Sequence, residues 1–168
     1  MNNNDILTRL RYALDLKDAE MVEIFGLGGI EIKKDEVQAV LSKVTSDSPE
    51  VDEEEFQVND YKKKLDNNML ESFLNGLITF KRGVSDSGKP VELTMKDRNV
   101  NNILLKKVKI ALTLTSEDIL DILSDTGTNL SKSELSAVLR REGHRNYKEC
   151  GDRYARNFLK GLAMSYRE

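Results

Sequence analysis

Apolar residues fall at helical spacing along most of the chain. Ile6, Leu7, Leu10, Ala13 and Leu14 recur three or four positions apart, and Leu104, Leu105, Val108, Ala111 and Leu112 repeat the pattern. These stripes predict helices over about residues 4–15 and 102–113, with Asn3 or Asn4 capping the first and Asn101 or Asn102 the second. Met21, Val22, Ile24 and Phe25 mark a second helix, starting at an Asp18 cap in one half and a Ser116 cap in the other. Gly29 and Gly127 stand where these helices end, as a left-handed terminal residue requires. Val37, Val40 and Leu41, like Leu135, Val138 and Leu139, face the core from a third helix. Ser131 to Glu134 reads as a capping box, with Leu130 and Leu135 as its hydrophobic staple. Ile32 and Val37 keep the staple in the first half, but Lys33 replaces the serine and predicts a weaker start. A fourth helix is expected over 66–81 and 152–166, with Asp66 and Asp152 as N-caps. Gly76 and Gly161 sit inside it at matching positions. A mid-helix glycine costs about 1 kcal/mol relative to alanine. Finding it twice predicts a close crossing, either between the two fourth helices or between each and a neighbour.

The halves match without a gap. Shifted by 98 positions, Asn4 to Leu41 lies on Asn102 to Leu139, with 12 of 38 positions identical. Self-similarity of this kind marks a duplicated structural unit. Similarity resumes at Tyr61/Tyr147 and Asp66/Asp152, and after a one-residue offset Phe73 to Leu77 matches Phe158 to Leu162. The expectation is an all-α fold of two pseudo-symmetric repeats, about four helices each, packed together. Residues 1–82 form the first repeat with an acidic insert at 46–60. Residues 83–100 form a linker, with Val91 to Met95 as a short extended piece, and 101–168 the second repeat. No alternation of period two is long enough for a sheet.

Charge divides the halves more sharply than the net value of −3 implies. Residues 98–168 hold 13 Lys/Arg against 9 Asp/Glu, whereas residues 1–97 hold 13 against 20. Seven of those acids (Asp47, Glu50, Asp52, Glu53, Glu54, Glu55 and Asp60) crowd the insert, which predicts a solvated, loosely packed loop. The single cysteine excludes an internal disulfide and suits a reducing cytosol. The first residues lack the basic start and apolar stretch of a signal peptide, and no apolar run approaches the roughly 20 residues of a membrane helix. A cytoplasmic protein without a membrane partner is expected.

His144, Cys150 and Asp152 lie within nine residues and could serve thiol chemistry. The Asp66 copy has no matching His or Cys, so Gly143 to Asp152 is read as a structural connector. There Cys150 is buried and Tyr147 packs on the bundle as Tyr61 does. With one histidine there is no multi-histidine metal site. Gly26, Gly28 and Gly29 lack the lysine and the preceding strand of a phosphate loop. No catalytic, cofactor or metal residue is assigned. Helices two and three could act as a helix-turn-helix pair. Lys132, Ser136, Arg140 and Arg141 are the candidate nucleic-acid contacts. The joint is longer than the 3–4 residues of that motif, and a pI near 5.4 argues against it. A non-enzymatic interaction module with an unknown protein partner is the leading reading. A nucleic-acid-binding regulator, and a small-molecule binder or enzyme in the inter-repeat groove, are the alternatives.

The chain resembles the uncharacterised bacterial YehS-like family, small proteins with two tandem copies of a domain of unknown function. The resemblance rests on Asn4 to Leu7 with Arg11 to Leu16, on Met21 to Phe25, and on Phe73 to Leu77. In the second copy it rests on Leu135 to Ala137, Gly143 to Asp152 and Arg156 to Leu162. The acidic insert departs from the family pattern. The resemblance implies a bacterial cytosolic protein and supplies no activity and no catalytic residue.

Overall fold

The computed structural model describes residues 1–43, 61–83 and 92–167. The predicted loose loop at 46–60 lies outside them. Among the described residues there are eight helices and no strand: α1 (Asn3–Leu14), α2 (Asp18–Leu27), α3 (Lys34–Leu41), α4 (Asn67–Arg82), α5 (Val100–Ala111), α6 (Ser116–Ser124), α7 (Lys132–Leu139) and α8 (Asp152–Tyr166). Residues 92–96 are irregular, not a strand. The two halves pack as an all-α body around one continuous apolar core.

The repeats pair through helices far apart in sequence. α1 packs on α8, and α4 packs on α5. Both pairs run parallel. The Met1 amino group lies 3.5 Å from Asp152 at one end, while Arg167 donates to the Tyr12 carbonyl at 2.8 Å at the other. In the second pair Asn67 donates to Asp97 at 2.8 Å, and Arg82 donates to the Ile110 carbonyl at 3.3 Å. Arg82 and Arg167 thus make the same contact on equivalent carbonyls. The N-termini of all four helices surround one cavity of about 620 Å³. Their aligned dipoles concentrate positive charge there, which Asp66, Asp97 and Asp152 offset.

Two buried asparagines tie each repeat together. Asn4 donates to the Val40 and Lys63 carbonyls at 2.9 and 2.8 Å and accepts from the Leu65 amide at 2.9 Å. Asn102 repeats this with the Val138 and Lys148 carbonyls and the Cys150 amide, at 2.9, 2.8 and 2.9 Å. Neither is the expected cap. Asn2 caps α1, accepting from Asp5 N at 2.8 Å, and α5 starts after Asn99 without a side-chain cap. Asn3 and Asn101 instead donate to the Leu65 and Cys150 carbonyls at 3.2 and 3.1 Å.

These bonds correct the register of the last helix. Leu65 pairs with Cys150 and Lys63 with Lys148, an offset of 85 that continues to Gly76/Gly161 and Arg82/Arg167. Asp66 therefore corresponds to Gly151, not to Asp152. Asp66 does cap α4, accepting from Met69 N at 2.8 Å, whereas Gly151 occupies the cap of α8 and Asp152 is its first residue. Asp152 accepts from Asn101 at 2.8 Å, matching the bond from Asn3 to Asn67.

The second helices also start one residue earlier than the caps read from sequence. Thr115 Oγ1 accepts from Asp118 N at 3.1 Å, and Asp118 accepts from Thr115 N at 2.8 Å. In α2 only the acidic half exists, with Glu20 accepting from Lys17 N at 3.0 Å. Ser131 accepts from Glu134 N at 3.1 Å, which is the serine half of the expected box. At α3 the weaker start is visible, since Lys33 offers no side-chain cap and Glu36 accepts from its amide at 3.4 Å.

Gly29 and Gly127 take φ of 91° and 80°, closing α2 and α6. The Ile30 and Thr128 amides reach back to the Phe25 and Leu123 carbonyls at 2.8 and 3.0 Å. Gly76 and Gly161 mark the crossing of each fourth helix over its own second helix. A Cβ on Gly76 would overlap the Ile24 carbonyl oxygen, and one on Gly161 would lie 2.5 Å from the Ile122 carbonyl oxygen. Phe25 and Phe73 pack at the first crossing with ring centroids 4.9 Å apart.

Glu71 is fully buried on α4 yet ionically paired. It accepts from Thr94 N and Met95 N at 2.7 Å each, and the Lys107 ammonium lies 3.3 Å away. Lys107 also donates to Asn75. This cluster fastens α4, α5 and the incoming residues 94–95.

Asn4→Ala and Asn102→Ala each orphan one buried carbonyl, one partly buried carbonyl and one buried amide, at roughly 1–3 kcal/mol per buried group. Each should lower stability by about 3 kcal/mol or more, about 6–12 °C in Tm for a chain of this size. Calorimetry showing an unchanged Tm would refute the role. Gly76→Ala should destabilise more than Gly161→Ala, because its new methyl meets only backbone atoms, of Ile24 and Gly28, and meets them more closely; chemical denaturation of the two variants checks the order.

Candidate anion-binding cleft

A concavity lined mainly by cationic and polar residues lies on the second repeat. Residues 92–96, the start of α5 and the loop after α7 enclose a cleft of about 590 Å³. Its walls carry Lys96, Lys106, Arg140 and Arg141, with Tyr147 and Glu142 beside them. Arg140 is the residue after α7, and its extended backbone (φ −71°, ψ 161°) turns the chain off the helix axis. Lys106 leaves α5 and donates to the Arg140 carbonyl at 3.2 Å. Burial, then the neighbouring Lys107, pulls the Lys106 pKa below its ordinary value.

Glu142 on the wall already has partners outside the cleft lining and within it. It is held by Arg98 at 2.7 Å and by the Asn99 amide, and these bonds keep its carboxyl below the usual range. Glu92 is the other acid on the wall. The Tyr147 hydroxyl is buried without a hydrogen-bond partner among the described residues. Burial, then the Glu142 charge, raises its pKa, so it remains a proton donor at neutral pH. Tyr61 differs. It donates to Asp5 at 2.6 Å, and its pKa is pushed up to about 12 by burial and that bond. Tyr147 is half-buried on the cleft wall, outside the residues packed on the core, and lacks Tyr61's polar anchor, because the corrected register places the two tyrosines one position apart.

The four residues singled out as nucleic-acid contacts separate. Arg140 and Arg141 enter the cleft. Lys132 and Ser136 lie exposed on α7 outside its lining, and Lys132 pairs with Glu117 at 3.1 Å. Seven residues, 125–131, separate α6 from α7, so the pair lacks the tight turn of a helix-turn-helix. Lys96 and Lys106 were missed as site residues. Lys106 belongs to an amphipathic stripe that reads only as α5 surface, and Lys96 to the linker.

The cavity at the four helix N-termini has a different character. Amide side chains of Asn2, Asn3, Asn67 and Asn101 share its wall with Asp66, Asp97, Asp152 and Lys64. It is a mixed-charge junction between repeats. Among the described residues no group of three or more His, Cys, Asp or Glu is placed to hold a metal ion, and no helix is long and apolar enough to cross a membrane.

Cys150 takes the place of Leu65, one of the core residues, and is 4 % exposed. Burial, then the charge of Asp152, pushes its thiol up to about 12. His144 stands exposed, its Nδ1 accepting from the Asn146 amide at 3.1 Å, and no hydrogen bond joins it to Cys150. The His, Cys and Asp do not form a reactive set.

A family model described as "Protein of unknown function (DUF1456)" matches residues 3–83 and 101–168. The chain is 39% identical over 164 residues to "Uncharacterized protein YehS" of Escherichia coli (strain K12), covering 97% of this chain and 95% of the relative. No solved structure matches it.

With its pKa near 12, well above the ordinary value of 9.0, Cys150 should react slowly with a thiol reagent at pH 7, at a rate that His144→Ala leaves unchanged. The folded state holds a proton that the unfolded chain releases near pH 9. Stability from this thiol is therefore complete below about pH 9 and lost as pH climbs toward 12. Denaturation of wild type and Cys150→Ala across that window measures it. Fast labelling at neutral pH would contradict the buried-thiol assignment.

Proposed function

We propose, from the premise that the chain belongs to the DUF1456 family of proteins of unknown function, that it is a non-enzymatic binding module whose second repeat receives an anionic group. The observation that carries this reading is the cleft itself. Lys96, Lys106, Arg140 and Arg141 converge there, while the adjacent Glu142 is already engaged by Arg98 and Asn99. Guanidinium and ammonium donors bind carboxylate or phosphate oxygens through short charge-assisted bonds. The Tyr147 hydroxyl adds a neutral donor that has no partner among the described residues. The reading keeps the cytoplasmic location expected from the sequence. The anionic group is carried by a small molecule or by an acidic partner protein.

Isothermal titration with inorganic phosphate at low ionic strength tests the cleft. The Arg140→Gln/Arg141→Gln pair should weaken binding ten-fold or more, since hydrogen bonds to charged groups contribute about 1.5–3 kcal/mol each. Tyr147→Phe should weaken it less. Binding should also fade as pH rises toward the lowered Lys106 pKa, because only the ammonium form attracts the anion. No phosphate binding by the wild type, or unchanged binding by the double variant, would refute the proposal.

A further inference from the structure

We propose that a second basic face, on α1 and α8, docks a nucleic acid through its phosphate backbone. The pseudo-symmetry of the repeats sets this face apart from the cleft. Arg82 and Arg167 make equivalent contacts on Ile110 and Tyr12, so the α1–α8 pair is laid out like the α5–α4 pair. In the α5–α4 pair, Lys107 meets the carboxylate of Glu71 and the amide of Asn75, covered by residues 94–95. The equivalent positions of the α1–α8 pair hold Arg9, Arg156 and Lys160. The acid and the amide have both become cations.

Those three residues are exposed, as is Arg153 one turn earlier on α8. None of the four forms an ion pair with an acid among the described residues. The acids of these two helices are spoken for: Asp5 accepts from Asn2 and Tyr61, and Asp152 from Asn101, beside the Met1 amino group. Arg153, Arg156 and Lys160 are spaced three and four residues apart, one row on a single helix face. At 1.5 Å rise per residue the row is about 10 Å long. A single anion cannot span it, whereas a duplex presents one phosphate per roughly 1.7 Å of axis. Four exposed cations without an ion-pair partner among the described residues thus fit a polymer of phosphates.

Fluorescence anisotropy with a labelled 20-base-pair DNA duplex, on the full chain across a salt series, tests this. The logarithm of the affinity should fall with the logarithm of salt at a slope of roughly −3 to −4, about −0.9 per phosphate neutralised. Arg156→Gln/Lys160→Gln should bind more weakly and flatten the slope by about 2. Circular dichroism confirms its fold, and Arg153→Gln, with a flattening of about 1, serves if the double variant does not fold. Three results would overturn the proposal: no duplex binding at low salt, an unchanged slope in the folded variants, or tighter binding to phosphatidylserine vesicles than to duplex. Displacement of the duplex by inorganic phosphate at constant ionic strength would place the polymer in the cleft and overturn it equally.

Discussion

A buried asparagine can satisfy three backbone groups at once, and this protein uses that property twice. Asn4 and Asn102 each join the start of a first helix to the end of a third helix and to the strand of chain entering a fourth. The entering segments also donate from Lys63 N and Lys148 N to the Ala39 and Ala137 carbonyls, at 3.2 and 3.0 Å, and the asparagines satisfy groups that these bonds leave unpaired. With the brackets closed, the entry to the last helix is fixed relative to the first. The glycine crossings at Gly76 and Gly161 and the arginine contacts at the far end follow from that placement.

The bracketed repeats then share one core through the parallel pairs α1–α8 and α4–α5. Duplication supplies the same backbone twice, and the differences between copies create the features available for binding. At one pair interface a lysine meets a buried carboxylate. At the other, the corresponding side chains are cations facing outward. The cleft is another such difference. Its Lys106, Arg140 and Arg141 stand where the first repeat carries Thr8, Ser42 and Lys43. A scaffold this constrained tolerates divergence where side chains do not bracket backbone.

Much of the fold could be read from the sequence. The offset of 98 located α3 and α7 residue for residue, and Gly29, Gly127, Gly76 and Gly161 each met the backbone condition that a repeated glycine predicts. Asn4 and Asn102 were misread because an asparagine at a helix start looks like a cap, and only tertiary structure reveals carbonyls 36 and more residues away. The register slipped by one because Tyr61/Tyr147 and Asp66/Asp152 are chance coincidences of type, and the equivalent pair Leu65/Cys150 shares size and burial instead of identity. Glu71 left a signal that went unused, a lone acid among Leu70, Phe73 and Leu74 on the apolar side of α4. Lys96 and Lys106 had none, since cleft walls form between segments whose proximity no local pattern records. Arg140 and Arg141 were singled out for charge alone, and the backbone turn that brings them to the cleft is invisible in the residues.

The most direct test of the bracket is native-state amide exchange at Leu65 and Cys150, the two N–H groups that donate to Asn4 and Asn102. If these bonds hold the repeats together, both amides should exchange only through global unfolding, with the free energy of the most protected core amides on α1 and α5. Exchange at either amide through local opening, at rates typical of surface loops, would contradict the account.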